Sequence, residues 1–110
     1  MLGAAIATTI SDIPFDGPIS TTQVGLVDGE FVFNPTAAQK AVSDMALTVA
    51  STKEKVIMIE AGANEVPEQQ MIDAIFAAHE LNQKVIAFID TIVAECGKPK
   101  HEYESCAVPE

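Results

Sequence analysis

Thr21–Phe33 reads TTQVGLVDGEFVF, two β-rich runs on either side of Asp28-Gly29. An Asp-Gly pair in that position signals a hairpin, because the two-residue turn that suits twisted strands needs positive φ at both central residues. The same reading recurs downstream. Met45–Ala50 (MALTVA) and Lys55–Glu60 (KVIMIE) flank the polar stretch Ser51-Thr52-Lys53-Glu54, which predicts a second hairpin. Two hairpins make a four-stranded antiparallel sheet. VIMI is an unbroken apolar run and predicts a strand buried on both faces. Ala61–Glu65 reads as loop.

Helices surround this sheet in the sequence. Leu2–Ile10 is a short helix of small residues, and Ser11–Pro18, with two prolines, a glycine and two aspartates, is an irregular loop. Asn34-Pro35-Thr36 ends the second strand, and Thr36–Val42 forms a brief helix entered through proline. Pro67 opens a longer helix with Glu68 in its first turn, where a negative charge suits the macrodipole. Along it Met71, Ile72, Ile75, Phe76, Ala78 and His79 recur at helical spacing. Asn82-Gln83 predicts a break or kink. Val85, Ile86, Ile89, Ile92 and Val93 then continue to Gly97, a C-cap with Pro99 beyond it. The order is helix, ββ, short helix, ββ, long helix pair. That is an α+β domain, an antiparallel sheet with helices packed on it, over residues 1–97, followed by a polar linker tail, 98–110.

The chain has 110 residues, one domain's worth. At that size roughly two-thirds of the unfolded chain's surface can be hidden. Hydrophobic residues make up 48% and charged residues 20%, which excludes intrinsic disorder. The net charge is −10, and all six basic residues are lysines. Without arginine there is no planar fork for phosphate or guanine, so a free-standing nucleic-acid binder is disfavoured. No apolar run approaches the roughly 18 residues that span a bilayer. The apolar N-terminus lacks the basic region of a signal peptide. Cys96 and Cys106 make neither a zinc ligand set nor a disulfide framework, which points to a reducing, cytoplasmic setting.

The side chains that carry chemistry are sparse. Glu60, Glu65 and Glu68 cluster where a strand leaves the sheet, and carboxylate oxygens there suit a divalent ion such as Mg²⁺. The plain alternative is a solvated acidic edge, the default for exposed acids. Turn chemistry accounts for Asp12 and Asp16, and Asp44 ends the short helix. His79 shares a helix face with Ile72, Ile75 and Phe76, as a half-buried histidine does. His101 stands in the tail without structural company. Cys96 lies near a helix C-terminus, a place that does not favour a nucleophilic thiolate. Gly25, Gly29 and Gly62 are isolated, so no phosphate-cradling loop exists. No self-contained active site emerges.

Three long stretches carry a resemblance: ISDIPFDGPI (Ile10–Ile19), VDGEFVFNPT (Val27–Thr36) and VIMIEAGANEVPEQQMIDAI (Val56–Ile75). They resemble the bacterial polynucleotide phosphorylases, in the C-terminal part of their first ribonuclease-PH-like core domain. The resemblance runs to Gly97–Lys100. It implies a ribonuclease PH domain 2-like fold and an excised fragment whose Met1 is an interior residue of a longer chain. For that longer chain it implies 3′→5′ phosphorolysis of RNA to nucleoside diphosphates, with Mg²⁺, in a cytoplasmic homotrimer active in mRNA degradation. The family's second repeat carries an Asp-x5-Asp-x-Lys pattern for metal and phosphate. Here Lys40, Ala46 and Thr48 occupy those places, and all three differ. The resemblance therefore implies a catalytically degenerate structural repeat with no catalytic, cofactor or metal residues of its own. Its partners are the remainder of the parent polypeptide and its trimer, with RNA and phosphate reserved for the parent. The Ala-rich opening helix (Leu2, Ala4, Ala5, Ile6) is the expected surface for self-association of the fragment.

Overall fold

The computed structural model of the chain describes residues 1–108, so the last two residues of the expected tail lie outside the described part. Its elements are α1 (Leu2–Ile10), β1 (Ser20–Val27), β2 (Glu30–Phe33), α2 (Ala37–Val42), β3 (Met45–Ser51), β4 (Val56–Ala63) and α3 (Glu68–Cys96). The four strands form one antiparallel sheet in the order β2-β1-β3-β4. Asp28 and Gly29 take φ of 52° and 79°, the pair of positive values that the β1–β2 turn requires.

Strand alternation assigns the two faces. Val24, Leu26, Met45, Leu47 and Val49 point to one side and are buried with Ala74 and Ala78 of α3. Small residues at those two helix positions let α3 lie close to β1 and β3. Asn82, Ile86 and Ile89 continue the same buried stripe. On the opposite face, a Cβ at Gly25 would meet Ser43 Oγ at 3.0 Å and the Pro35 ring at 3.4 Å. Glycine is what lets the Pro35–Ser43 segment cross β1 so closely. Within that segment Thr36 caps α2 through a reciprocal pair. Gln39 N donates to Thr36 Oγ1 (3.3 Å) and Thr36 N donates to Gln39 Oε1 (2.9 Å).

Three sequence expectations change, and a fourth, the C-cap at Gly97, holds with an extended backbone. β4 runs on to Ala63, through the stretch read as loop. It is also an edge strand that α3 does not cover: Ile57 is 55% exposed and Ile59 49%. Its unbroken apolar run is therefore not a sign of burial on both faces within this chain. The expected helix pair is one continuous 29-residue helix, because Asn82 turns inward instead of breaking it. Asn82 Nδ2 donates to Val49 O (3.2 Å) and Ser51 Oγ (2.9 Å), and Thr22 Oγ1 donates to Asn82 Oδ1 (2.7 Å). Finally, Gly97 ends α3 in extended backbone (φ −64°, ψ 146°) and not in a left-handed cap. Its lack of a side chain matters for room, since a Cβ there would sit 2.4 Å from Val93 O.

Candidate functional site

The face of the sheet away from α3 holds a cleft of about 380 Å³. β1 contributes Gln23, β3 contributes Ala46 and Thr48, β4 contributes Gly62, and the α2 segment contributes Lys40, Ser43 and Asp44. The position of the α2 segment follows from Ser43. Its hydroxyl accepts from Leu26 N (2.9 Å) and Met45 N (3.2 Å) and donates to Met45 O (2.6 Å). Asp44 then joins the strands on either side through its backbone: its N–H donates to Leu26 O and its carbonyl accepts from Asn64 N, both at 2.9 Å. One side chain thus pins the helix exit to β1 and β3, and the cleft forms beside it.

Lys40, Ala46 and Thr48, the three positions that the resemblance sets against the family's catalytic pattern, line this one cleft together. The donor set they form does not fit Mg²⁺. Oxygen-rich, anionic ligands are what that ion needs, and Asp44 is the one carboxylate among the lining residues, with the Lys40 ammonium also on the wall. Ala46 offers nothing and Thr48 a neutral hydroxyl. The cleft's lining residues supply one carboxylate and not two.

The divalent-ion reading of Glu60, Glu65 and Glu68 gains no ligand group from the structure, and the solvated acidic edge fits better. Glu60 stands opposite Thr48 in the β3–β4 register, Glu65 occupies the β4–α3 connection with φ 51°, and Glu68 lies in the first turn of α3. All three are exposed. Among the described residues no group of three or more His, Cys, Asp or Glu could hold a metal ion. Neighbouring places in sequence put these carboxylates on a strand, a turn and a helix start.

His79 is half-buried on α3, on the other side of the sheet, with its Nε2 3.4 Å from Gln83 Nε2 and its Nδ1 buried without a partner. Cys96 and Cys106 are both free and exposed. None of these faces the cleft. Ser43, by contrast, is missing from the sequence reading. Its signal is the small polar residue at the α2–β3 junction, opposite the one strand glycine with no room for a side chain.

Residues 17–80 match the family described as 3′ exoribonuclease family, domain 2. Over its whole length the chain is 78% identical to a polyribonucleotide nucleotidyltransferase of Lachnoclostridium phytofermentans and covers 16% of that protein. It is 54% identical, again over its whole length, to a polyribonucleotide nucleotidyltransferase of Caldicellulosiruptor saccharolyticus, with 16% of that protein covered. Over 94% of the chain it is 54% identical to the protein of that name from Shouchella clausii, of which it covers 15%. The chain thus spans about a sixth of the length of these curated relatives. No helix among the described residues is long and apolar enough to cross a membrane.

Proposed function

We propose, from the premise that this chain belongs to the 3′ exoribonuclease family as its domain 2, that it is a catalytically degenerate structural repeat of a longer RNA-degrading enzyme. The longer protein would carry out 3′→5′ phosphorolysis of RNA to nucleoside diphosphates, with Mg²⁺ at a second repeat, as a cytoplasmic homotrimer. Residues 1–97 would form the repeat and 98–110 a linker to the remainder of the longer chain. The observation that carries this reading is the cleft itself. It occupies the sheet face where the matched positions meet, yet Lys40, Ala46 and Thr48 supply neither the two carboxylates nor the lysine of the family's pattern. The role left to the segment is to build and hold an assembly.

An assembly role leaves apolar surface waiting for neighbours. α1, the expected surface, buries only Ala5 and Thr9 against α3 and β1. Met1 (69%) and Leu2 (40%) remain exposed, but the broader surface is Ile57, Met58 and Ile59 along β4. A long apolar edge strand with open backbone groups invites another chain. The isolated chain is therefore expected to self-associate through this surface. Sedimentation equilibrium over a concentration range of about a hundredfold checks it, since association obeys mass action. A mass fixed at 11.7 kDa throughout would contradict the assembly reading.

The charge balance gives a second expectation. With a net charge of −10 and no arginine, the isolated chain should bind single-stranded RNA no tighter than about 1 mM at physiological salt, weaker than ordinary non-specific binding. A fluorescence titration reads this directly. Micromolar affinity with a steep salt dependence would place RNA contacts in this repeat and overturn its purely structural role.

A further inference from the structure

The C-terminal end of α1 lacks the donors it needs. A helix leaves its last four carbonyls without partners inside itself, and α1 has no basic residue in its last turn to serve them. Its C-cap, Ser11, is extended instead of left-handed (φ −77°, ψ 174°), so no glycine-type cap closes the end. Ser11 Oγ supplies one donor locally, to Thr8 O (2.7 Å), and the others come from the far end of the chain. Lys100 Nζ donates to the carbonyls of Thr8 (3.1 Å), Thr9 (2.8 Å) and Ser11 (2.6 Å). An ammonium carries three N–H bonds, and each finds an acceptor here. On either side, Lys98 N donates to Ile10 O (3.0 Å) and His101 N to Asp12 O (2.9 Å). Pro99, between them, has no N–H to offer. The segment after α3 is thus no free linker at its start, and His101 is not without structural company: Lys98–His101 lies along Thr8–Asp12 as a strap.

We propose that Lys100 is a clasp through which the segment leaving α3 holds α1 on the domain, so that α1 and the strap dock and release together. α1 has little else to hold it. Its contacts with α3 and β1 bury only Ala5 and Thr9. The clasp sits at the negative end of the helix dipole, where a cation is favoured, and its bonds are charge-assisted. Displacement of the chain beyond His101 would pull on α1 first. The clasp therefore couples the segment beyond the strap to the position of the opening helix.

Hydrogen–deuterium exchange on the full 110-residue chain, its Lys100→Met variant and its Lys100→Arg variant tests this. Lys100→Met keeps the apolar stem and removes all three donors. The amides of Ile6–Ile10 should then exchange about tenfold faster, the loss of a charge-assisted cap read as local opening, while those of Ala74–Ile86 in α3 keep the parent rate. Lys100→Arg retains a cation and several N–H donors and should stay within about threefold of the parent in α1. The clasp is contradicted by an unchanged α1 in Lys100→Met, by equal acceleration in both variants, or by acceleration spread equally over α3 and the sheet.

Discussion

Replacing Asn82 with alanine is expected to lower the unfolding free energy by about 3 kcal/mol, a large part of the 5–15 kcal/mol typical of a domain. Asn82 is fully buried (0% exposed) in the middle of α3 and uses both ends of its amide. It accepts from Thr22 of β1 and donates to Val49 O and Ser51 Oγ of β3, so one side chain ties the helix to the two central strands. Alanine removes that tie and leaves Thr22, Val49 O and Ser51 short of a partner in a site closed to water, each costing about 1–3 kcal/mol before relaxation. Asn82→Leu fills the volume but strands the same groups, and should lose nearly as much. Adding Thr22→Val and Ser51→Ala to Asn82→Leu removes the stranded hydroxyls. That triple variant should recover all but about 1 kcal/mol, because replacing both sides of a buried polar contact by apolar groups is close to neutral. Urea unfolding at constant m-value measures all three. A loss below about 0.5 kcal/mol in Asn82→Ala, the size of an ordinary surface effect, would mean that the network does not hold α3 on the sheet.

Much of the architecture is legible in the sequence because it rests on local chemistry. Asp28-Gly29 needs positive φ, Thr36 and Gln39 form a capping box, and the four β-rich runs fall where the strands are. The differences share one cause, which is that a neighbour outside the local window decides the outcome. Asn82 reads as a break by residue type, yet it falls four residues after Ala78 and four before Ile86, in step with the buried stripe. A polar residue in phase with an apolar face is a signal for an inward hydrogen bond. VIMI carries the apolar content of a buried strand, but α3 lies over β1 and β3 and leaves β4 at the edge. Sequence pattern records that a strand is made to be covered, and not which chain covers it. The strap is the least legible feature. Lys100 and its acceptors are separated by 89 to 92 residues, and nothing in a polar tail distinguishes a clasp from a solvated lysine.

The candidate site divides in the same way. That Lys40, Ala46 and Thr48 belong together follows from the family resemblance, and their meeting in one cleft is a matter of strand alternation and the Ser43 tie. Glu60, Glu65 and Glu68 are closer in sequence but fall within β4, on the β4–α3 connection and in the first turn of α3, and they form no metal-holding group among the described residues.

The proposed catalytic silence rests on the charge pattern of the cleft. Phosphorolysis brings an anionic phosphate to an anionic RNA backbone, so the site must gather a metal and cations around the developing charge. Here the lining residues offer one carboxylate, Asp44, and one ammonium, Lys40. Enzymes supply at least about a millionfold acceleration, which the proposed reading does not expect from a cleft with Ala46 and Thr48 at those two places. The most direct measurement is nucleoside diphosphate release from single-stranded RNA by this chain alone, with inorganic phosphate and Mg²⁺ present. Release should be no greater than in a buffer control. Release above that control, abolished by Lys40→Ala or Thr48→Val, would contradict the proposed silence.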